Sequence, residues 1–218
     1  MSLALYYHPL ASYCHKVLIA LYAGDIACEK RLIDLGDPGH RAELGAIWPL
    51  VKFPVLRDAA LGRDVPESSA IIEYLDHHYS ARMLPRDWEG AFEARLWDRF
   101  FDNHVQTPMQ AIVLDRIMGQ NTAMERERAA LTTAYGILEQ QLAKYEWAAS
   151  DEFSMADCAA APALFYAMTL VPFPAGAVQL PGYFDRLMAY PPVQRTMDEA
   201  RPYFSMYPFE EAIPARFR

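Results

Sequence analysis

Two short stretches of this chain hold the residues best suited to chemistry. The first runs from Tyr6 to Val17 and reads YYHPLASYCHKV. Its start continues the strand-like alternation of residues 3–7, and its end opens a helical pattern with Val17, Leu18, Leu21 and Tyr22 on or near one face. A strand that ends against a helix N-terminus leaves orphan amides and a positive dipole end, which together favour a thiolate held just beyond them. A hydroxyl donating to that sulfur favours the charged form further, and Ser12, at the expected helix start, can supply one. Cys14 lies one helical turn from Leu18 and reads as a small buried side chain without a redox partner. The second stretch is FPVLRDAALGRDVPESSAIIEY, residues 53–74. Pro54 opens an apolar, β-branched strand, which is allowed where that position donates nothing to the sheet. Thirteen residues later Glu67-Ser68 begins an apolar-periodic run, placing a carboxylate and a hydroxyl at a helix start. There they can cap orphan amides, and the same amides can receive an anionic ligand.

The elements that must position these groups follow from periodicity and punctuation. Strands are expected over residues 3–7, 28–33 and 52–57, with a further strand after a hairpin near Gly62. Helices are expected over 12–23, stopped by Gly24, over 38–47 as a short irregular one, and over 67–79. From Glu89 onward the pattern is helical: a long segment to Met118, then 123–145, 156–168, 183–190 and 193–200. Ser154-Met155-Ala156-Asp157 has the spacing of a capping box, which gives Asp157 a folding role. The tail from Pro202 is too aromatic for solvent and is expected to pack back on the helices.

The Phe53-Pro54 pair followed by Glu67-Ser68, behind a strand–helix junction and ahead of a helical second half, resembles the glutathione transferase family over nearly the whole chain. The resemblance implies an α/β thioredoxin-like N-terminal domain plus an all-α C-terminal domain. The boundaries expected are 1–79 for the glutathione-binding domain, 80–88 for a linker and 89–218 for the helical domain. It also implies a cis Pro54, with the Phe53 backbone turned toward the cysteinyl part of glutathione. Glu67 and Ser68 would hold the γ-glutamyl end, and Lys52 the glycyl carboxylate. In the long first helix, Arg99, Asn103 and His104 take positions that can face a second-substrate pocket, with Phe165 and Met168 from a later helix. Helical spacing explains the aromatic residues and the methionine equally well as core.

The sequence departs from the family at three places. Ala11 stands where many members keep a catalytic serine or cysteine, so the thiolate's stabiliser is left open among Ser12, Tyr7 and the backbone amides. Trp48 and Val51 stand where members usually carry asparagine and glycine. The implied activity is attachment of the glutathione thiolate to small apolar electrophiles, or peroxide reduction with it. A glutathione-dependent isomerase, an ether-cleaving lyase and a non-catalytic glutathione-binding module are the alternatives.

Composition bounds the remaining classes. Twenty-eight acidic residues against 20 lysines and arginines give a formal charge of -8, which argues against a nucleic-acid surface. No apolar run approaches a membrane span, and no secretory leader opens the sequence, so a cytoplasmic protein is expected. Three widely spaced cysteines and six scattered histidines suggest neither a disulfide framework nor a metal site. The resemblance implies a homodimer.

Overall fold

A computed structural model describes residues 2–218. They divide into two compact units, one ending at Met83 and the other running from Leu84 to Arg218.

In the first unit, β1 (Leu3–Tyr7), α1 (Ser12–Ala23) and β2 (Glu29–Leu32) form a parallel crossover, with Ala4 opposite Glu29 and Tyr7 opposite Leu32. Next come α2 (Pro38–Ile47), β3 (Val55–Asp58), β4 (Arg63–Pro66) and α3 (Ser68–Tyr79). The sheet order is β2-β1-β3-β4, and β3 is antiparallel to both neighbours. α1 is more deeply buried than its sequence face suggested. Every residue from Cys14 to Leu21 is buried, including His15 and Lys16. Each of those polar intruders has a hydrogen-bond partner: His15 Nε2 lies 2.5 Å from the Pro9 carbonyl oxygen, and Lys16 Nζ donates to Ser69 Oγ at 2.8 Å. α2 is a regular helix rather than an irregular one. Asp37 caps it by accepting from the Gly39 and His40 amides, and Pro38 sits in its first turn, where no amide is needed. Asp58 locks the β3–β4 hairpin, accepting from the Ala60 and Leu61 amides and from the hydroxyls of Tyr74 and Tyr79.

The second unit is helical. It contains α4 (Trp88–Phe100), α5 (Thr107–Ile117), α6 (Glu125–Gln141), α7 (Met155–Leu170), α8 (Gln179–Ala189) and α9 (Pro191–Ala200). Short 3₁₀ turns follow α9, and Phe204, Tyr207 and Ile213 bury their side chains there. The long first helix expected from the sequence is interrupted, because residues Phe101–Gln106 form a π-helical segment between α4 and α5. Pro108 supplies the reason. A proline inside a helix has no amide to give and its ring crowds the carbonyl four residues back, and one wide turn absorbs both. The Thr107 amide bonds to the Asp102 carbonyl, five residues back, and Thr107 Oγ1 donates to the same oxygen at 2.9 Å.

α7 is the buried axis of this unit, with Met155 to Ala167 all buried. Its start is a full capping box. Asp157 accepts from the Ser154 amide and Ser154 Oγ on one oxygen, and from the Ala148 amide and Tyr183 hydroxyl on the other. Burial pushes the Asp157 carboxyl up, against those four bonds that pull it down. Glu139 of α6 caps α8 from a distance, accepting from the Val178, Gln179 and Leu180 amides at 2.8–2.9 Å.

Candidate functional site

The candidate site in the first unit is built at the ends of its strands. β1 runs out at Tyr7, and the turn His8-Pro9-Leu10-Ala11 is closed by the Ala11 amide donating to the His8 carbonyl at 3.0 Å. Ala11 is the N-cap of α1 and, lacking a polar side chain, gives the helix no side-chain cap. Ser12 follows as the first helical residue, 9% exposed, while Tyr7 is half-buried at the strand end. Both are thus close in sequence to the start of α1, where the helix dipole favours negative charge. Cys14 is buried, and burial pushes its thiol up to about 12, against a hydrogen bond to the His8 backbone. At neutral pH it is an inert, protonated core residue, as its place one turn from Leu18 suggested.

The Phe53-Pro54 peptide is cis. Pro54 is buried and Phe53 half-buried, and Phe53 stacks on the His8 ring at 6.0 Å between centroids. His8 was not singled out from the sequence. Its Nδ1 accepts from the Leu10 amide at 3.2 Å, and burial lowers its pKa against the opposing charge of Asp34, so the ring is biased toward neutral. Lys52 is exposed beside Phe53.

Glu67 occupies the N-cap position of α3 with φ 69° and ψ 117°. Such backbone costs a non-glycine residue about 1–3 kcal/mol and collects at functional sites. The exposed Glu67 side chain makes no capping bond, although its carbonyl accepts from the Ile71 amide at 2.9 Å. Helix capping therefore does not account for the carboxylate. Ser68, at 6% exposure, is the first residue of the helix. A carboxylate, a hydroxyl and a helix N-terminus in sequence form a set that can take a group carrying both an ammonium and a carboxylate.

Residues 5–83 match the family description "Glutathione S-transferase, N-terminal domain", and residues 100–191 match "Glutathione S-transferase, C-terminal domain". The chain belongs to the glutathione S-transferase family. Among relatives of this transferase-family chain, Glutathione S-transferase GstB of Escherichia coli (strain K12) is 26% identical over 196 residues, covering 84% of this chain and 91% of that protein. A probable maleylacetoacetate isomerase of Vibrio cholerae is 39% identical over 89 residues, 39% of this chain and 40% of that one. A crystal structure of a glutathione S-transferase from Methylobacillus flagellatus with GSH bound shares the fold at a TM-score of 0.76 and 23% identity, covering 89% of this chain and 98% of that chain. The mixed sheet followed by a helical unit is the architecture of this family.

The second unit sorts the remaining transferase-site expectations. Asn103 and His104 are exposed in the π-helical segment and line a groove of about 350 Å³ between α5 and α6. Thr107 and Ala111 continue their wall, and Arg126, Ala130 and Ile137 face them. Phe165 does not line that groove. It is fully buried, stacked on Phe204 at 5.8 Å and edge-on to Phe217 at 5.5 Å, because α7 is enclosed by helices and tail. Met168, half-buried on α7, lies outside the groove as well. Arg99 is committed to its own helix, where its guanidinium bonds Asp98 at 2.7 Å and also pairs with Asp102. Among the described residues no cluster of side chains could hold a metal ion, and no helix is long and apolar enough to cross a membrane.

Proposed function

We propose that this chain binds glutathione in its first unit, ionises the thiol and transfers the thiolate to a small apolar electrophile. The observation that carries the reading is Glu67: an exposed carboxylate at a strained N-cap that caps nothing, beside the buried Ser68 hydroxyl. In this reading Glu67 accepts from the γ-glutamyl ammonium, and Ser68 with the first amides of α3 donates to the γ-glutamyl carboxylate. The Phe53 backbone meets the cysteinyl part, and Lys52 answers the glycyl carboxylate. Ser12 donates to the sulfur, with the start of α1 adding its dipole. The thiol proton leaves to solvent, the sulfur lone pair forms the new bond to carbon, and the leaving group departs with its bonding electrons. Asn103 and His104 are the residues we assign to the electrophile.

The similarity to a probable maleylacetoacetate isomerase favours a second reading, glutathione-dependent isomerisation. There the thiolate adds to a conjugated double bond, the resulting single bond rotates, and elimination returns glutathione unchanged. Both readings need the same thiolate. Its test is the ultraviolet thiolate absorbance of bound glutathione against pH for wild type, Ser12→Ala and Tyr7→Phe. Ser12→Ala is expected to raise the thiol pKa by about one unit, equivalent to about 1.4 kcal/mol. A shift confined to Tyr7→Phe transfers the role to Tyr7, and three identical curves assign it to the backbone amides. Turnover on haloarene electrophiles against a cis-unsaturated diketo acid then separates transfer from isomerisation.

A further inference from the structure

The loop from Trp48 to Phe53 adopts a backbone that its sequence disfavours. Trp48 ends α2, and the Val51 amide donates back to the Trp48 carbonyl at 2.9 Å, closing a turn over Pro49 and Leu50. Val51 then lies at φ 51°, in the left-handed region. A β-branched residue there is a genuine outlier, whereas glycine adopts it at no steric cost. Such a conformation persists only where the surroundings over-determine it. The surroundings are apolar: Trp48, Val51 and Phe53 pack against the buried cluster of Tyr6, Ile33, Leu44 and Val55. On the α2 side, a Cβ added at Gly45 would meet Val51 Cγ2 at 3.6 Å, so the valine methyl fills the space beside that helix. Leu50 and Lys52 on either side are exposed, and Val51 between them is half-buried.

We infer that Val51 is a positioning residue, whose packed side chain holds the loop in its left-handed turn and thereby fixes Lys52 to receive the glycyl carboxylate of glutathione. The inference rests on the glutathione reading above. A glycine at 51 reaches the same dihedral freely and leaves it as freely, so its loop must be ordered when the ligand binds. Valine reaches it only through packing. The conformation is then already set in the free protein, because another one would draw the valine side chain off the cluster it packs against.

The test measures calorimetric binding of glutathione and of γ-glutamylcysteine, which has no glycyl residue, to the full chain. The proteins are wild type, Val51→Gly, Lys52→Gln and the double variant. Val51→Gly is expected to weaken glutathione about three- to fivefold, the scale of the backbone freedom that a glycine regains. Its γ-glutamylcysteine affinity should stay within twofold of wild type. In the Lys52→Gln background, Val51→Gly should change glutathione binding no further. Equal losses for both peptides would make Val51 a general support of the fold and overturn the inference. So would an unchanged glutathione affinity, or an undiminished Val51→Gly effect without Lys52. If Val51→Gly does not fold, Val51→Ala removes the packing while still disfavouring the left-handed region, and the same selective loss is expected. Wild type that binds neither peptide would sink the glutathione reading itself. Wild type that binds both, with no selective loss in the variants, would sink this inference alone.

Discussion

Replacing Asp157 by asparagine tests the buried axis of the helical unit with one atom exchanged. The wild-type carboxyl accepts four hydrogen bonds, two per oxygen, and each oxygen serves one backbone amide and one hydroxyl: Ala148 N at 2.9 Å with Tyr183 OH at 2.6 Å, and Ser154 N at 2.8 Å with Ser154 Oγ at 3.1 Å. An asparagine must turn its NH₂ toward one edge or the other. The hydroxyl on that edge can rotate to accept, but the backbone amide cannot, so either orientation leaves one buried N–H facing another donor. Even a protonated carboxyl keeps a lone pair on each oxygen, which an NH₂ does not, so the raised pKa of Asp157 leaves the argument intact. One buried unsatisfied amide costs about 1–3 kcal/mol. Asp157→Asn is therefore expected to lose about 2 kcal/mol, and Asp157→Ala, which strands both amides, about 4 kcal/mol. Tyr183→Phe removes one hydroxyl donor and no backbone partner, and about 1 kcal/mol is expected. Urea unfolding followed by tryptophan fluorescence measures all three, read as midpoint shifts at constant slope. An Asp157→Asn protein within 0.5 kcal/mol of wild type, well below the cost of a stranded amide, would refute the reasoning.

Two further outcomes follow from the same geometry. Glu67→Gln, which removes the charge proposed to meet the γ-glutamyl ammonium, is expected to weaken glutathione by about 1 kcal/mol in calorimetry, the scale of an exposed ion pair, while affinity unchanged within twofold would assign Glu67 no ligand. Burial pushes the Glu139 carboxyl up, but the α8 amides outweigh it and hold the group below its ordinary range. The stabilisation from a lowered pKa is present above the unfolded value and lost as pH falls through the folded one. Wild type should therefore exceed Glu139→Gln by about 1 kcal/mol at pH 7, a typical capping contribution, and the gap should close as pH falls below the usual carboxylate range. A gap independent of pH in parallel urea series would show that charge on Glu139 contributes nothing.

What the sequence determined by itself is what a single turn or a single junction decides. The α1 span from Ser12 to Ala23, the Pro38 start of α2 and the Ser154–Asp157 capping box all rest on groups within a few residues of one another, so their signals are complete locally. The strand ends lay within a few residues of expectation for the same reason, although β3 begins at Val55 rather than Lys52, because Pro54 has no amide to give to the ladder. The Thr107-Pro108 pair carried a legible warning of the π-helical turn, which the apolar periodicity of that long segment obscured. Tertiary structure alone decided the rest. The helical spacing of Phe165 fitted pocket and core equally well, and only the enclosure of α7 by its neighbours sent it to the core, away from the groove that Asn103 and His104 line. Arg99 was claimed by buried carboxylates one and three residues away, a choice set by which face of α4 was covered. Glu139 caps a helix some 40 residues further along the chain, and Val51 holds a backbone angle that its own chemistry resists. Each of these depends on partners distant in sequence, whose contact energies outweigh local preference once the chain has brought them together.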